Sequence, residues 1–393
     1  MKYFTRRLKA LHHIPDFNHH PKCANMQIIQ LGFADDLLLF CMGDIGSIKL
    51  LYNCFLEFSK ASGLEINKKK SSIFFGGVSH DMQEDILEFL GIQKGEFPVR
   101  YMGVPLISNR VSLVQCQSLI DKLVGRITSW TAKLLSYVGR LQLIKSVLFS
   151  IQTYWSQIFM LPKKITKLIE AICRSFLWTR DNNISKKALL AWEKVCQPRS
   201  AGGFNVMDIG LWNKAAISKQ FCNICKEKNK LWIQWVHCYY IKNKHIWEVQ
   251  LNQASWIMRK IVKAKENFEA AGYNYEDLRQ MHDFSIKHID HKLRGDFSKV
   301  SWRKLVCNNA GCPRWIFMLT LVANGRLYTK DRLLKWGIET DQRCLVCTQA
   351  NESIQHLFFE CQYAAELWKR MLKWQGISRN IYGWSEELKW VEN

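Results

Sequence analysis

The chain has 393 residues, 48% of them hydrophobic and including 16 Trp and 21 Phe, which is material for two or three packed domains and excludes a disordered chain. Its 56 Lys and Arg against 34 Asp and Glu give a formal charge of +22, and that much self-repulsion adds nothing to a fold; it points to a polyanionic partner, nucleic acid before an anionic membrane surface. No apolar run approaches the roughly 20 residues of a bilayer span, so a membrane-spanning protein is not expected.

The amino-terminal stretch Met1 to Lys9 lacks the apolar core of a signal peptide, and 14 scattered Cys suit a reducing compartment, so an intracellular protein is expected, nuclear or cytoplasmic. His12-His13 and His19-His20, beside Pro15 and Pro21, read as a polar loop. Met26 to Leu31 and Leu37 to Cys41 then read as two short strands joined by a tight turn at Phe33-Ala34-Asp35-Asp36. Adjacent carboxylates on a rigid turn are what a two-metal phosphoryl-transfer site needs to hold hard cations about 3.5–4 Å apart. Such a site takes a further acid from another strand. Asp16 is the sole acid among the 34 residues before Asp35 and lies in no strand pattern, so the sequence is expected to carry part of a catalytic apparatus whose amino-terminal part is absent.

Ser47 to Lys60 has helical apolar spacing, with Gly63 as a stop. Leu64 to Asn67, Lys68-Lys69-Lys70 and Ser71 to Gly76 read as strand, basic turn and strand, and Tyr101 to Leu106 as an edge segment bent by Gly103 and Pro105. From there to Thr179 the pattern is helical. One stripe holds Leu134, Val138, Leu141, Leu148, Ile151, Trp155 and Ile158; Pro162 breaks it; a second holds Ile165, Leu168, Ile169, Ile172, Cys173, Phe176 and Leu177. Residues 100–200 carry 16 Lys or Arg against 4 Asp or Glu, more than half of the excess charge, so nucleic-acid contacts are expected there, with Lys133, Arg140, Lys145, Lys163, Lys164 and Lys167 the first candidates. Residues 181–300 are aromatic-rich and mostly helix-like, with a turn at Ala201-Gly-Gly-Phe204, and a last compact unit starts near 297.

That last unit contains Cys344-Leu-Val-Cys347, His356 and Cys361. Two thiolates on a tight knuckle, an imidazole and a third thiolate make a closed tetrahedral Zn²⁺ shell, the ligand set of a structural site. His356 and Cys361 are five apart and would lie on different faces of a straight helix, so the chain must turn between them. Thr329 is the expected N-cap of a short helix that Gly337 stops, with Leu357, Phe358, Leu367 and Trp368 available for a core. Cys222, Cys225, His237 and Cys238 could also be written as a metal set, but three-residue spacing within an amphipathic helix reads as core packing.

Taken together, these segments resemble the reverse transcriptases of plant LINE-type non-LTR retrotransposons. Phe33 to Asp36 resembles the family's catalytic motif C, Ser62 to Ser71 its motif D, Tyr101 to Leu106 its primer grip, Leu135 to Ile144 and Ser175 to Trp178 its thumb, and Trp302 to Trp368 its zinc-binding domain. The resemblance implies an α+β chain: a partial right-hand palm, an antiparallel sheet with a packed helix, at 1–105, a basic helical thumb and connector at 106–296, and a helical zinc-binding domain at 297–393. It implies RNA-directed DNA polymerase, with Asp35 and Asp36 holding Mg²⁺ in an intact palm, Lys70 near the incoming triphosphate, an RNA template and DNA primer as partners, and structural Zn²⁺. Fingers, motif A and motif B are not in the sequence, so a truncated chain inactive by itself is expected. The alternatives are a non-catalytic zinc-containing RNA- or DNA-binding protein and a zinc scaffold for other proteins.

Overall fold

The computed structural model describes residues 2–33, 36–107, 109–131, 134–181, 183–185, 187–242, 244–307 and 310–392. The chain divides into two compact units, one of residues Met1–Arg110, Gln220–Glu266 and Tyr273–His282 and the other of Val111–Lys219, Asn267–Gly272 and Asp283–Asn393.

In the first unit, helix α1 (Lys2–Ala10) and helix α2 (Ile45–Ser62) share a core of Phe4, Leu8, Leu51, Cys54 and Phe58. Strands β1 (Gln30–Phe33) and β2 (Asp36–Leu39) form an antiparallel hairpin in register Phe33↔Asp36, and Leu37 and Leu39 pack on that same core. The apolar alternation of the sequence thus fixes which face of the hairpin turns inward. Asp44 caps α2, its carboxylate accepting from Ser47 N at 2.7 Å, and Gly63 ends the helix in the left-handed region at φ 72. The opposite face of α2 packs Ile48 against Ile86 and Leu90 of α3 (His80–Leu90).

The expected single antiparallel sheet is not what forms among the described residues. There are three two-stranded sheets: β1–β2, a parallel pair of β3 (Ser72–Ile73) with β4 (Gln93–Lys94), and a hairpin of β5 (Val99–Tyr101) with β6 (Val104–Leu106). Leu64 to Asn67 is not a strand. The carbonyl of Asn67 accepts from both Lys70 N and Ser71 N at 3.0 Å, a helical-type turn that competes with hairpin pairing. At Met102-Gly103 both φ values are positive, 50 and 80, so the bend foreseen from Gly103 is a two-residue hairpin turn.

In the second unit four helices follow in order, α4 (Gln117–Thr131), α5 (Tyr137–Leu143), α6 (Phe149–Ile158) and α7 (Lys163–Thr179). The α7 stripe is as the spacing dictates, burying Ile165, Ile169, Ile172, Cys173, Phe176 and Leu177, and Pro162 stands at its N-cap. The earlier stripe differs. Leu134 is 92% exposed ahead of α5, and a π-turn at Ile144–Leu148 adds a residue to the helical register, so Phe149 and Gln152 are buried while Ile151 and Ile158 are only half-buried.

An aromatic cluster joins distant parts of this unit. Phe317, on the helix Pro313–Ala323, stacks on Phe204 at 4.5 Å and on Tyr137 at 5.7 Å, with Trp178 at 6.2 Å. Phe204 reaches Phe317 because the preceding turn is tight: a Cβ at Gly203 would lie 2.2 Å from the carbonyl oxygen of Gln197. Asn324 donates to the Gly202 carbonyl at 3.0 Å and fastens the far end of the Phe317 helix to the same turn.

Replacing Phe317 with Ala should therefore lower the stability of this unit by about 3–5 kcal/mol, the usual range for removing a buried aromatic ring. Urea denaturation followed by aromatic circular dichroism measures it, and a loss below about 1 kcal/mol would mean that the cluster is not the joint between these helices.

Candidate zinc centre and basic surface

The four candidate ligand residues come from two local structures. The first is a knuckle: Arg343 bridges Asn351, Glu352 N donates to the Gln342 carbonyl at 2.8 Å, Cys344 N to that of Ala350 at 2.7 Å and Thr348 N to that of Cys344 at 2.9 Å. Within it Val346 N donates to the Cys344 sulfur at 3.4 Å. The second is the stretch from Ser353, whose hydroxyl accepts from His356 N at 3.1 Å, through a π-turn at His356–Glu360 to Cys361, the N-cap of the helix Gln362–Trp374. The π-turn supplies the turn that the five-residue spacing demands. Cys361 N donates to the His356 carbonyl at 2.7 Å, closing an i to i+5 loop that brings the imidazole and the thiol to one side.

The ligand atoms of Cys344, Cys347, His356 and Cys361 all lie within 4.8 Å of one another, with Cys344, His356 and Cys361 buried and Cys347 half-buried. A tetrahedral shell with Zn–S near 2.3 Å places its ligand atoms roughly 3.5–3.8 Å apart, so small side-chain adjustments would close this set on one ion. Three soft thiolates and an imidazole, mostly withdrawn from water, match Zn²⁺ in donor type and number. The thiols differ in ionisation. Backbone N–H groups of Gln349 and Ala350, together with His356 and Cys344, hold the Cys347 thiol down to about 6, whereas burial pushes Cys361 up.

The knuckle also holds the helix Lys330–Lys335. Thr329 stands at its N-cap as expected, but its hydroxyl is buried without a hydrogen bond; instead the Glu352 carboxylate accepts from Lys330 N at 3.2 Å and its carbonyl from Asp331 N at 3.3 Å. Leu367, expected in the core, is exposed, while Trp368 is half-buried and donates to Glu387 at 3.2 Å.

The other cysteine set does not gather into a ligand cluster among the described residues. Burial pushes Cys225 up to about 12 and raises Cys222, and the His237 ring lies 3.1 Å from the Ile224 carbonyl. The His12 and His19 rings face each other at 2.8 Å, nitrogen to nitrogen.

Of the acidic pair, Asp35 lies outside the described residues, and Asp36 opens β2 with its side chain exposed. Asp36 belongs to no group of three or more clustered ligands among the described residues. Lys70 is exposed in the turn before β3, which pairs with β4, whereas Asp36 lies in the β1–β2 hairpin.

The basic candidates divide by burial. Lys163, Lys164 and Lys167 are exposed on the first turns of α7. Lys133 lies outside the described residues. Arg140 is 2% exposed, donates to the Phe176 carbonyl at 3.2 Å and lies 4.4 Å over the Tyr137 ring; burial lowers its pKa. Lys145 donates to the Phe204 carbonyl at 2.6 Å, and burial, with Arg199, brings it down to about 8. Neither side chain is turned out toward a phosphate, which corrects the expectation for both. Their cationic groups satisfy carbonyls inside the unit. Lys122 and Arg126 are likewise exposed, on α4 opposite Leu119, Leu123 and Ile127.

Residues 284–368 match a family model described as zinc-binding in reverse transcriptase. In this region the chain is similar to the zinc-binding part of reverse transcriptases. A protein of Arabidopsis thaliana named "Putative ribonuclease H protein" is 30% identical over 157 residues, which are 40% of this chain and 24% of that protein. An "Uncharacterized mitochondrial protein" of the same plant is 24% identical over 119 residues, 30% of this chain and 77% of that protein. The chain thus spans about a quarter of the length of the first of these relatives. No helix among the described residues is long and apolar enough to cross a membrane.

Metal analysis should find one zinc per chain, and Cys361→Ala should lose it together with the cooperative melting of the region; unchanged melting after chelation would count against a structural role. In chelator-treated protein, Cys347 should alkylate with a pH midpoint near 6, well below an ordinary thiol, and zinc should suppress the reaction. The sign follows from the lowered folded value. What the Cys347 thiolate contributes to the metal-free fold is present above the ordinary thiol range and lost as pH falls through about 6.

Proposed function

We propose that this chain is the carboxy-terminal part of the RNA-directed DNA polymerase of a plant LINE-type non-LTR retroelement and that, by itself, it binds nucleic acid without polymerising. The observation that carries this reading is the Cys344, Cys347, His356 and Cys361 cluster, standing inside the stretch that matches the reverse-transcriptase zinc-binding model. The hairpin with Asp36 at the start of its second strand lies ahead of it, in the order that the family resemblance requires.

In this reading residues 1–105 are palm, 106–296 thumb and connector, and 297–393 the zinc-binding domain. Asp35 and Asp36 belong to the polymerase metal site and Lys70 to its triphosphate end. Mg²⁺, when bound to an intact palm, offsets the charge on the transferring phosphate. No step is assigned to this chain alone, because a two-metal geometry needs acids from more than one strand and the described residues offer Asp36. The exposed lysines of α7 follow an RNA template or its hybrid with a DNA primer through phosphate contacts, which carry affinity and no sequence information. A protein scaffold is less favoured, since Lys163, Lys164 and Lys167 make no ion pair among the described residues.

Affinity for single-stranded RNA should fall with salt, and replacing Lys163, Lys164 and Lys167 with Ala should flatten the logarithmic slope by roughly 0.7 for each phosphate left unneutralised. Arg140→Met should instead destabilise the fold and leave that slope unchanged. Binding indifferent to salt would favour the scaffold. Primer extension with Mg²⁺ or Mn²⁺ should stay at background for the chain alone, and an extension dependent on Asp35 would overturn the non-catalytic part of the reading.

A further inference from the structure

The two histidine pairs ahead of the hairpin have no part in the reading above, and the fold brings one member of each together. His12 lies on the 3-10 turn Leu11–His13 that follows α1, and His19 on the loop that leads toward β1. His12 Nδ1 and His19 Nε2 are 2.8 Å apart, while the ring planes differ by 7° and the ring centres are 5.0 Å apart. With planes this parallel, a centre-to-centre distance so much longer than the nitrogen contact puts both nitrogens between the two centres. The rings therefore meet edge to edge along one N–H···N line. Both are half-buried, and the edge of the Phe17 ring, a core residue of this unit, stands 5.1 Å from the His19 ring.

Such a bond counts protons. In the neutral pair one ring donates its inward N–H and the other accepts on a bare nitrogen. A first proton goes to the outward nitrogen of the donating ring, and the bond becomes charge-assisted. A second proton can only take the accepting nitrogen, which leaves N–H facing N–H between two like charges, and the bond is lost.

The surroundings oppose charge on this pair. Burial lowers the pKa of both rings, and for His12 the adjoining His19, His13 and Lys9 lower it further. Among the described residues no carboxylate acts on either ring. From α2 the group that meets the loop is the neutral Ser47 hydroxyl, which accepts from Asn18 N at 2.9 Å.

The same loop seats the hairpin. The Asn18 carbonyl accepts from Met42 N, just past β2, at 2.9 Å. Further along, the Lys22 carbonyl accepts from Trp235 Nε1 at 2.7 Å and Asn25 N donates to the Tyr239 hydroxyl at 2.9 Å, so the far end of the loop is held independently of the histidines.

We propose that His12 and His19 form a proton-operated latch that holds the loop ahead of the β1–β2 hairpin against the end of α1 at neutral pH and releases it in mild acid. Because the folded-state values are lowered, what the latch contributes is present above the ordinary histidine range and lost as pH falls through them. Release loosens Asn18 and with it the bond to Met42, so the seating of the strand that opens with Asp36 becomes pH-dependent.

The test compares full-length zinc-loaded protein with its double variant His12→Asn, His19→Gln by amide hydrogen exchange. The Asn and Gln amides stand near where Nδ1 and Nε2 were and keep a hydrogen bond, but take up no proton in this range. Comparing the two proteins at one pH cancels the intrinsic pH dependence of exchange, and acid release of zinc, common to both, cancels with it. At about pH 7.5, above the histidine range, the amides of Asn18 and Met42 should exchange alike in the two proteins. Near pH 5 they should exchange about tenfold faster in the parent, the equivalent of one unit of pKa shift, while the amides of α3 stay equal.

Equal exchange at the acid end would overturn the latch, and a difference that extends to α3 would overturn it as general unfolding. Should the double variant fail to fold, nitrogen-15 spectra of the parent's histidines decide. Two coupled steps with one N–H proton shared between the rings support the latch, and two independent titrations at the ordinary histidine value refute it.

Discussion

The hydrogen bond from Cys361 N to the His356 carbonyl spans five residues, and the geometry of the zinc centre depends on it. An ordinary helical turn would carry the imidazole and the third thiol to different faces. The π-turn at His356–Glu360 widens the loop, and at Cys361 the backbone leaves helical geometry, φ −64 and ψ 125, before the next helix starts. A turn of this kind is weaker than an α-helical one and rarely persists without a reason. A bound metal joining His356 to Cys361 would supply that reason, so local strain and ligand geometry account for each other.

Much of this was legible in the residues. Adjacent acids between alternating apolar runs gave a hairpin, because the alternation dictates an inner and an outer face, and Gly63 ended α2 because a left-handed C-cap favours a residue without a Cβ. The cysteine and histidine spacing named a site whose ligand atoms are indeed together. Periodicity failed where the backbone leaves regular geometry. The π-turn at Ile144–Leu148 shifts the buried face by a residue, which no fixed-period count can anticipate, and the paired bonds to the Asn67 carbonyl turned an apparent strand into a turn.

Charge was the property that sequence counting treated worst. Arg140 and Lys145 look equivalent to the lysines of α7 in the string, yet both serve buried carbonyls, Phe176 and Phe204, and help to join helices around the aromatic cluster. A formal charge does not reveal which way a side chain points. Burial changes its meaning from long-range attraction to internal hydrogen bonding, and the cost appears as lowered pKa values for both groups. Lys122 and Arg126 on α4 and Lys163, Lys164 and Lys167 on α7 are among the cations that remain outward.

The cap of the helix Lys330–Lys335 has a consequence for the order of events at the ribosome. Its first amides are satisfied by Glu352, more than twenty residues downstream, while the local hydroxyl of Thr329 makes no hydrogen bond. A six-residue helix has almost no stability of its own. During synthesis it should stay unformed until the knuckle has emerged, and the knuckle in turn should settle only when Cys361 has cleared the exit tunnel. Folding of this region is thereby timed from its far end, and a translational pause before Cys361 would leave the whole stretch open to proteases and stray metals.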